Sequence, residues 1–324
     1  MRWLITGGCG FIGTSLFKKI AKETNDSIRI IDNLSVGSLS ELSDKYSVEI
    51  ISKNSQKNNS KYEFIEGNIT DKKLAEFATK DVDCVVHLAA NTGVQSSIIN
   101  PIKDLEENVI GTFNYLNASV KNSVNKFVFA SSGAPIGNTV PPIHEKVPTN
   151  PLSPYGASKL AGEGYCSAFF HSYGLETVIL RFSNVYGPGS INKSSVIAKF
   201  IKQILKEKLI TINGDGSQTR DFIYVDDLLE AILKCSTIKS IGGEKFQIAT
   251  GKETSINSLI KKLKEAFISI NIKEIEVIKG DFLAGDIKFN YSDNSKAKKI
   301  LHWLPKVGLE EGLNSTIRYF LKNN

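Results

Sequence analysis

The sequence lacks the patterns that mark metal-binding, disulfide-bonded and acyl-transfer proteins. Its four cysteines show no CxxC spacing, which argues against a zinc knuckle or a disulfide framework, and we expect them to be reduced core residues. The four histidines have no metal-ligand spacing, so we predict no bound metal. No GxSxG nucleophile elbow occurs, which leaves acyl-transfer chemistry without support. The cysteines are Cys9, Cys84, Cys166 and Cys235.

The sequence also lacks the runs that would indicate a membrane or a nucleic-acid partner. No apolar stretch approaches the ~20 residues needed to cross a bilayer, and the first residues, MRWLITGG, are unlike a secretory signal. The formal net charge of +6 comes from lysines spread as on solvated helix faces, and no basic stretch carries interleaved aromatic residues. We therefore predict a cytoplasmic protein with neither membrane nor nucleic-acid partners.

What the sequence does contain is a regular alternation of short apolar runs and helical patterns. The runs are continuously apolar, which is typical of strands covered on both faces and hence of a parallel sheet with crossover helices. We predict an α/β fold, a Rossmann-type doubly wound parallel sheet with a smaller mixed α/β C-terminal lobe. The predicted strands span residues 3–6, 28–32, 84–89, 126–131 and 177–182.

The pattern changes after about residue 185, where turn residues become frequent. We place the sheet domain at 1–185 and a smaller lobe mainly at 186–324. Strand-like residues at 246–250 indicate that the chain returns to the sheet, so segments near 221–250 are assigned to the first domain as well. The predicted boundary between the two domains is therefore crossed more than once by the chain.

The stretch TGGCGFIG (6–13) directly follows the first predicted strand and opens a helical pattern. Its glycines Gly7, Gly10 and Gly13 let the backbone pass close to a pyrophosphate, whose charge meets free N–H groups at the helix N-terminus. Asp32 ends the next strand about 20 residues on, where a carboxylate accepts ribose hydroxyls and repels a 2′-phosphate. We predict bound NAD rather than NADP, and hence an NAD-binding domain at 1–185. The alternative is a turn that only packs helix against strand.

Tyr155 and Lys159, in PYGASK, are four residues apart, so on a helix they share one face. A neighbouring ammonium and a nicotinamide cation both favour a phenolate, which brings the pKa of the tyrosine from its ordinary ~10 toward that of a general base. The alternative is a solvated pair on a helix surface.

Together, five stretches make the chain resemble the extended short-chain dehydrogenase/reductase family, nearly from end to end. Within it, the chain is most similar to nucleotide-sugar 4-epimerases of the UDP-glucose 4-epimerase type. The motif set is highly specific to the family and less specific to one reaction. The stretches are TGGCGFIG, HLAA (87–90), Ser132 after an apolar run, YGASK and RDFIYVDD (220–227).

The resemblance implies a reaction and its site. Ser132 would hydrogen-bond the sugar 4-hydroxyl, Tyr155 would remove its proton, and Lys159 would hold the nicotinamide ribose and lower the pKa of Tyr155. NAD would take the hydride from C4 and return it to the other face of the 4-keto sugar. The implied cofactor contacts are Gly7, Gly10, Phe11, Ile12, Gly13, Asp32, Asn33, Asn68, Ile69, Leu88, Ala89, Ala90, Asn108, Tyr155 and Lys159.

The substrate implied by the resemblance is a nucleotide sugar, most simply a UDP-linked one. Asn184 and Arg220 match residues that hold the diphosphate, a task that suits the planar donor fork of arginine. An ion pair of Arg220 with Asp221 or Asp226 is the alternative. Asn290 stands where epimerases restricted to plain hexoses have a bulky tyrosine, which leaves room for an N-acetyl group.

The stretch SSGAPIG (131–137) bears on which reaction is catalysed. Relatives that dehydrate the sugar carry an Asp-Glu pair after the catalytic hydroxyl, and this chain has Gly133 and Ala134 instead, which favours epimerisation. Two departures from the epimerases are Pro135 to Gly137 in place of Val-Tyr-Gly, and Leu283 in place of a second diphosphate-binding arginine. Because Leu283 replaces this arginine, the sequence does not determine which nucleotide the substrate carries.

Two other functions are compatible with these residues. One is reduction of a 4-keto nucleotide sugar with consumption of reduced cofactor, and the other is a non-catalytic dinucleotide-binding role. The family commonly dimerises by pairing the YGASK helix with the preceding one, here about 107–120, so we predict a homodimer. Burial within one subunit is the alternative explanation for that apolar segment.

Overall fold

The computed structural model describes residues 1–53, 60–281 and 287–323. Leu283, at which the sequence departs from the epimerases, lies outside the described residues. The described residues form fourteen strands, which are β1 (Arg2–Thr6), β2 (Ser27–Asp32), β3 (Val48–Ile50), β4 (Tyr62–Glu66), β5 (Cys84–His87), β6 (Lys126–Ser132), β7 (Glu176–Phe182), β8 (Asn184–Tyr186), β9 (Leu209–Asn213), β10 (Thr219–Arg220), β11 (Phe222–Tyr224), β12 (Lys245–Ile248), β13 (Thr254–Ser255) and β14 (Glu276–Gly280).

Twelve α-helices are formed by the same residues, together with a π-helical turn at Leu105–Ile110 and a 3₁₀ turn at Ser190–Asn192. The helices are α1 (Phe11–Glu23), α2 (Ser40–Ser43), α3 (Lys72–Ala78), α4 (Val94–Ile99), α5 (Pro101–Asp104), α6 (Gly111–Lys121), α7 (Pro154–Tyr173), α8 (Val196–Glu207), α9 (Val225–Thr237), α10 (Ile256–Ile268), α11 (Ser295–Leu301) and α12 (Leu309–Asn323). Among the described residues, no helix combines the length and the apolarity of a membrane span.

Eight strands form one sheet in the order β12-β7-β6-β5-β1-β2-β4-β3. In the sheet, β2, β4 and β3 lie on one side of β1 and β5, β6 and β7 on the other, and the pairs from β6 to β3 are parallel. This is the doubly wound order, which confirms the predicted fold class. Its topological switch point lies between β1 and β5, where ligands bind in such sheets.

The strands are apolar without alternation because both faces of the sheet are covered. Consecutive residues Trp3, Leu4 and Ile5 of β1 are buried, as are Cys84 to His87 of β5. The four cysteines are free and buried, as expected for small core residues. Strand β5 ends at His87, two residues before the predicted end, because the backbone N–H of Ala89 turns to the Thr6 hydroxyl.

The chain divides into two units. The first consists of Met1–Gly137, Thr149–Arg181 and Ala231–Phe246, and the second of Asn138–Pro148, Phe182–Glu230 and Gln247–Asn324. The first therefore includes residues from beyond the predicted boundary at 185, and the second includes fifteen residues, 138–148 and 182–185, from before it. That one unit binds NAD and the other the substrate stays a prediction.

The second unit contains small two-stranded sheets with helices packed on them. Strands β8 and β11 pair in parallel, as do β9 and β14, whereas β10 and β13 are antiparallel. The Asp227 carboxylate accepts the backbone N–H groups of Lys306 and Val307, at 2.8 and 3.0 Å, and its carbonyl accepts the Trp303 indole N–H at 2.9 Å. These bonds tie the segment before α12 to α9.

Candidate active site

The glycine loop lies at the switch point of the sheet, between β1 and α1. Gly7 has a φ of 69°, which favours glycine, and a Cβ there would lie 2.9 Å from the Ala89 nitrogen. At Gly13 a Cβ would lie 2.2 Å from the Gly7 carbonyl oxygen, so this glycine lets α1 pack onto the loop. Thus the loop, the start of α1 and the end of β5 come together.

The start of α1 fits the pyrophosphate of a dinucleotide. Its N-cap residue, Gly10, offers no side-chain cap to the first N–H groups of the helix, which belong to Phe11, Ile12 and Gly13. A Cβ at Gly10 would meet only the Gly7 carbonyl oxygen, at 3.3 Å, among the described atoms within 4 Å. Uncapped donors behind a side-chain-free surface match the requirements of a bound phosphate.

Asp32 ends β2 with its carboxylate beside the loop. One oxygen accepts the Cys9 N–H at 3.0 Å and the other the Leu34 N–H at 2.8 Å, so the side chain is oriented while each oxygen keeps further acceptor capacity. Burial and the nearby Asp32 charge raise the pKa of Cys9 to about 12, which keeps this thiol protonated. Asn33 is exposed, and its side-chain oxygen accepts from Ser35.

Most of the remaining predicted cofactor contacts lie on two segments of the first unit, and Asn108 lies in the π-helical turn at Leu105–Ile110. Leu88, Ala89 and Ala90 follow β5 and are half-buried. Asn68 follows β4, and its Oδ1 atom accepts both the N–H and the hydroxyl of Thr70 at 3.0 Å. An adenine contact through that oxygen, as the sequence suggests, would therefore share an acceptor that Thr70 already uses. Ile69 is buried.

Ser132, Tyr155 and Lys159 are brought together by β6 and α7. Ser132 is the last residue of β6, and Tyr155 is the second residue of α7, which begins with Pro154 after a Ser153 cap. A Cβ at Gly156 would lie 2.6 Å from the Ala134 carbonyl oxygen, so this glycine lets the helix start approach the segment after β6. The Tyr155 hydroxyl and the Ser132 hydroxyl are hydrogen-bonded.

Lys159 is buried beside Tyr155. Its ammonium donates to the Ala130 carbonyl at 2.9 Å and lies 5.0 Å from the Phe129 ring centre and 6.0 Å from that of Tyr155. Burial lowers the pKa of Lys159 to about 8, although Asp104, Cys166 and Glu163 act in the opposite direction. The ammonium is therefore poised near neutral pH.

The pKa of Tyr155 differs from the sequence-based expectation. The spacing to Lys159 predicts a lowered value, whereas in the structure burial raises the pKa of Tyr155 to about 12, the Ser132 hydrogen bond lowers it and the Asp104 charge raises it further. The cost of removing a phenolate from water outweighs the neighbouring cation in the protein chain itself.

His87 is a neutral imidazole at the end of β5. Its Nδ1 atom lies 2.9 Å from the Thr6 hydroxyl and its Nε2 atom 3.2 Å from the Thr112 hydroxyl. Because Thr112 donates to the Asn108 carbonyl at 2.6 Å, it accepts from Nε2–H, so the imidazole proton is assigned to Nε2. Burial, with a smaller effect of Lys159, lowers the pKa of His87 to about 3.

Three of the four predicted substrate residues, Asn184, Arg220 and Asn290, lie in the second unit, whereas Ser132 lies in the first. The Arg220 guanidinium donates to the carbonyl oxygens of Thr219 and Ile287, both at 2.7 Å. The Asn290 N–H reaches the Thr219 hydroxyl at 3.4 Å, and the Asn184 N–H donates to the Asp221 carbonyl at 2.9 Å. The Asp221 carboxylate accepts from Thr250 and Gly251. The candidates for diphosphate and sugar binding are thus neighbours on one hydrogen-bonded framework.

Several residues that support the site were not predicted from the sequence. The Tyr155 N–H donates to the Ser97 hydroxyl at 3.1 Å, and the Asn108 amide donates to Asp104 at 2.8 Å and to Ser158 at 3.1 Å. Beneath β6, Glu163 forms a bidentate pair with Arg181 and accepts from Ser131. In the structure, the π-helical turn at Leu105–Ile110 marks this region, since such turns cluster at functional sites. The sequence gives no sign of this turn.

The chain is similar to known proteins over nearly its whole length. Residues 3–249 match the NAD dependent epimerase/dehydratase family. A putative UDP-glucose 4-epimerase of Methanocaldococcus jannaschii is 39% identical over 326 residues, which cover 99% of each chain. A UDP-glucuronate 4-epimerase of Thermodesulfobacterium geofontis is 35% identical over 328 residues, 99% of this chain and 96% of that protein.

A solved structure is similar over the same length. The UDP-glucose 4-epimerase of Thermotoga maritima, determined with UDP-glucose, matches with a TM-score of 0.88 and 35% identity, covering 100% of this chain and 99% of that one. The chain belongs to the NAD dependent epimerase/dehydratase family. This membership confirms the predicted extended short-chain dehydrogenase/reductase class and NAD as the cofactor.

Proposed function

We propose that this chain is an NAD-dependent 4-epimerase of a nucleotide sugar, a UDP-hexose or a UDP-N-acetylhexosamine. The observation that carries the proposal is the junction of β6 and α7, where Ser132, Tyr155 and Lys159 meet. The two residues after Ser132 are Gly133 and Ala134, which supply no second acid or base. Such a site is equipped to remove and return one proton and no more.

The roles of the three side chains follow from their surroundings. Ser132 accepts the Ala134 N–H at 3.2 Å and bonds the Tyr155 hydroxyl, so its hydroxyl is oriented to hold the sugar 4-hydroxyl as well. Tyr155 takes the 4-hydroxyl proton and returns it. Lys159, held by the Ala130 carbonyl, keeps a positive charge beside the tyrosine ring and donates to the cofactor ribose.

A bound NAD would supply the hydride acceptor and donor for C4, and its positive nicotinamide would favour ionised Tyr155. The protein chain contributes the frame for this cofactor: uncapped N–H groups of α1 for the pyrophosphate and the Asp32 carboxylate for the ribose hydroxyls. Because Gly133 and Ala134 supply no acid, elimination of water from the sugar would not be assisted between the two hydride transfers.

For substrate binding we assign Asn184 and Arg220 to the diphosphate and Asn290 to the sugar. The arginine is anchored by two backbone carbonyls, which fixes its guanidinium plane for a phosphate. Support for a UDP-linked sugar comes from the relatives, whose names give UDP-glucose and UDP-glucuronate epimerases. The family resemblance disfavours a uronic acid, because Gln95 stands where relatives that act on glucuronate sugars commonly have an arginine.

Proton NMR of the purified protein tests the function. UDP-glucose, UDP-N-acetylglucosamine and UDP-glucuronate are incubated separately without added cofactor, and a second anomeric signal from the 4-epimer is expected with one of the first two. Tyr155→Phe should lower the rate by about 10²–10⁴-fold. Tyr173→Phe, which alters an exposed tyrosine of the same helix, is the matched control and should retain the wild-type rate.

Other outcomes would support the alternatives. Oxidation of added NADH with a 4-keto nucleotide sugar, without epimerisation of any UDP-sugar, would favour the reductase. Binding of NAD with no turnover of any of these substrates would favour a non-catalytic role. A cytoplasmic location stays a prediction.

We also propose that the enzyme is a homodimer that pairs α6 and α7 of one chain with those of a second copy. Apolar side chains on this face are exposed: Ile110 by 47%, Phe113 by 37% and Tyr165 by 39%. The rings of Phe113 and Tyr165 meet edge to face, with their centres 5.3 Å apart, so the exposed surface continues across both helices.

A further inference from the structure

The buried carboxylate of Asp104 has no role in the reaction as described so far. It ends α5 immediately before the π-helical turn and is 1% exposed. Burying a carboxylate is costly unless other groups stabilise its charge. Its partners are dipoles: the Asn108 amide donates to Oδ1 at 2.8 Å, and the Ser158 hydroxyl provides a second hydrogen bond.

These partners connect Asp104 to both halves of the site. Asn108 also exchanges two hydrogen bonds with Asn91, at 2.8 and 3.0 Å, and Asn91 directly follows the cofactor segment that ends at Ala90. Ser158 precedes Lys159, and its hydroxyl lies 3.0 Å from the Tyr155 carbonyl oxygen. One carboxylate therefore anchors the loop after β5 and the first turn of α7.

The Asp104 charge also raises the pKa of Lys159. Two carboxylates act on the buried ammonium, Asp104 more strongly than Glu163. Glu163 is already neutralised by Arg181, which donates two bonds at 2.8 and 2.6 Å. The titratable and charged groups around Lys159 are, in addition to Asp104, the side chains of Tyr155, Glu163 and Cys166 on α7, His87 on β5 and Arg181 on β7.

We propose that Asp104 is a positioning residue for the epimerisation: its carboxylate orients Asn108 and Ser158 and provides the uncompensated negative charge that holds Lys159 as an ammonium. The proposal rests on the function proposed above. It predicts that removing this charge without changing the shape of the side chain alters the protonation of Lys159 and Tyr155 rather than only the stability of the protein.

The test uses the NAD-loaded protein with Asp104→Asn, and Glu106→Gln as control. The control removes the same charge two residues away, from an exposed side chain. Titration of Lys159 is followed by NMR of ¹³Cε-labelled lysine, with the resonance assigned by its loss in Lys159→Arg. The pH dependence of kcat with UDP-glucose and the thermal midpoint are measured in parallel.

We expect the Lys159 midpoint in Asp104→Asn to move down by about one pH unit, a roughly tenfold loss of ammonium relative to amine at a given pH. The pH optimum of kcat should move down with it, because the Asp104 charge raises the pKa of both Lys159 and Tyr155. We expect kcat to change more than KM, and Glu106→Gln to leave both midpoints in place.

An unchanged Lys159 midpoint in Asp104→Asn, with or without a lower thermal midpoint, would overturn the proposal and leave Asp104 a structural residue. The NMR titration does not depend on turnover. A wild-type protein that epimerises neither UDP-glucose nor UDP-N-acetylglucosamine would therefore count against the proposed function alone, whereas an unshifted midpoint would count against the role of Asp104.

Discussion

Lys159 and His87 are two buried bases that the fold keeps in different states. Lys159 has carboxylates nearby, and its pKa falls only to about 8, so the ammonium persists at neutral pH. His87 has hydroxyl partners and aromatic neighbours, and its pKa falls to about 3. The nature of the neighbours, more than the depth of burial, decides which base stays charged.

The neutral state of His87 predicts acid sensitivity. An imidazole with an ordinary pKa of ~6.5 accepts a proton in the unfolded chain below that pH, whereas folded His87 does not until about pH 3. Stability is therefore intact above pH 6.5 and lost as pH falls toward 3, by about 2 kcal/mol at pH 5. Urea unfolding at pH 7 and pH 5 measures this loss.

Replacement of His87 by Phe should make the protein less stable at pH 7, since two hydrogen bonds are lost, yet should shrink the difference between pH 7 and pH 5. His171→Gln, which removes an exposed histidine, is the control and should keep the wild-type difference. An undiminished pH effect in the Phe variant would show that other groups cause the acid sensitivity.

At the scale of elements, the packing of α7 on β6 positions the three side chains that we propose are catalytic. Gly162 lies where a Cβ would be 2.4 Å from Cζ of Phe129, the ring that lies beside the Lys159 ammonium. Gly164, two residues on, is exposed, and a Cβ there would meet no described atom within 4 Å. The same helix thus offers one glycine required by packing and one that is not.

Substitution of these glycines by alanine should have opposite effects. Gly162→Ala should destabilise the protein by about 1–3 kcal/mol through overpacking and should also lower kcat. Gly164→Ala should stabilise it by about 0.5–1 kcal/mol, the helix advantage of alanine, and leave kcat unchanged. Urea unfolding measures the change in stability of each variant. If both variants were stabilised, or both were destabilised, this account of the contact between α7 and β6 would be contradicted.

Some parts of the candidate site can be predicted from the sequence, and others cannot. The glycine loop, Asp32 and the Tyr155–Lys159 spacing are predictable because each is a local pattern whose position relative to a strand or a helix is fixed. The Asp104 network is not predictable, since its members lie on α5, the π-helical turn and α7 and meet only after folding. The raised pKa of Tyr155 could not be predicted from the sequence either, because burial is a property of the tertiary structure.

At the scale of the whole molecule, the homodimer is the main prediction. Phe113→Asp places a charge on the exposed face of α6 and should shift sedimentation at micromolar concentration from dimer to monomer. Leu321→Asp, which charges a similarly exposed leucine of α12, should leave the dimer intact. A wild-type protein that sediments as a monomer at that concentration would refute the dimer.

The central claim is that one bound NAD oxidises and re-reduces C4 of the same sugar. Incubation of the wild-type protein with UDP-glucose deuterated at C4, without added cofactor, tests it most directly. The account predicts UDP-galactose that retains deuterium at C4, measured by NMR and mass spectrometry, with no net change in reduced cofactor. Epimer that has lost the deuterium to water, or no epimer of this or the N-acetylated substrate, would contradict it.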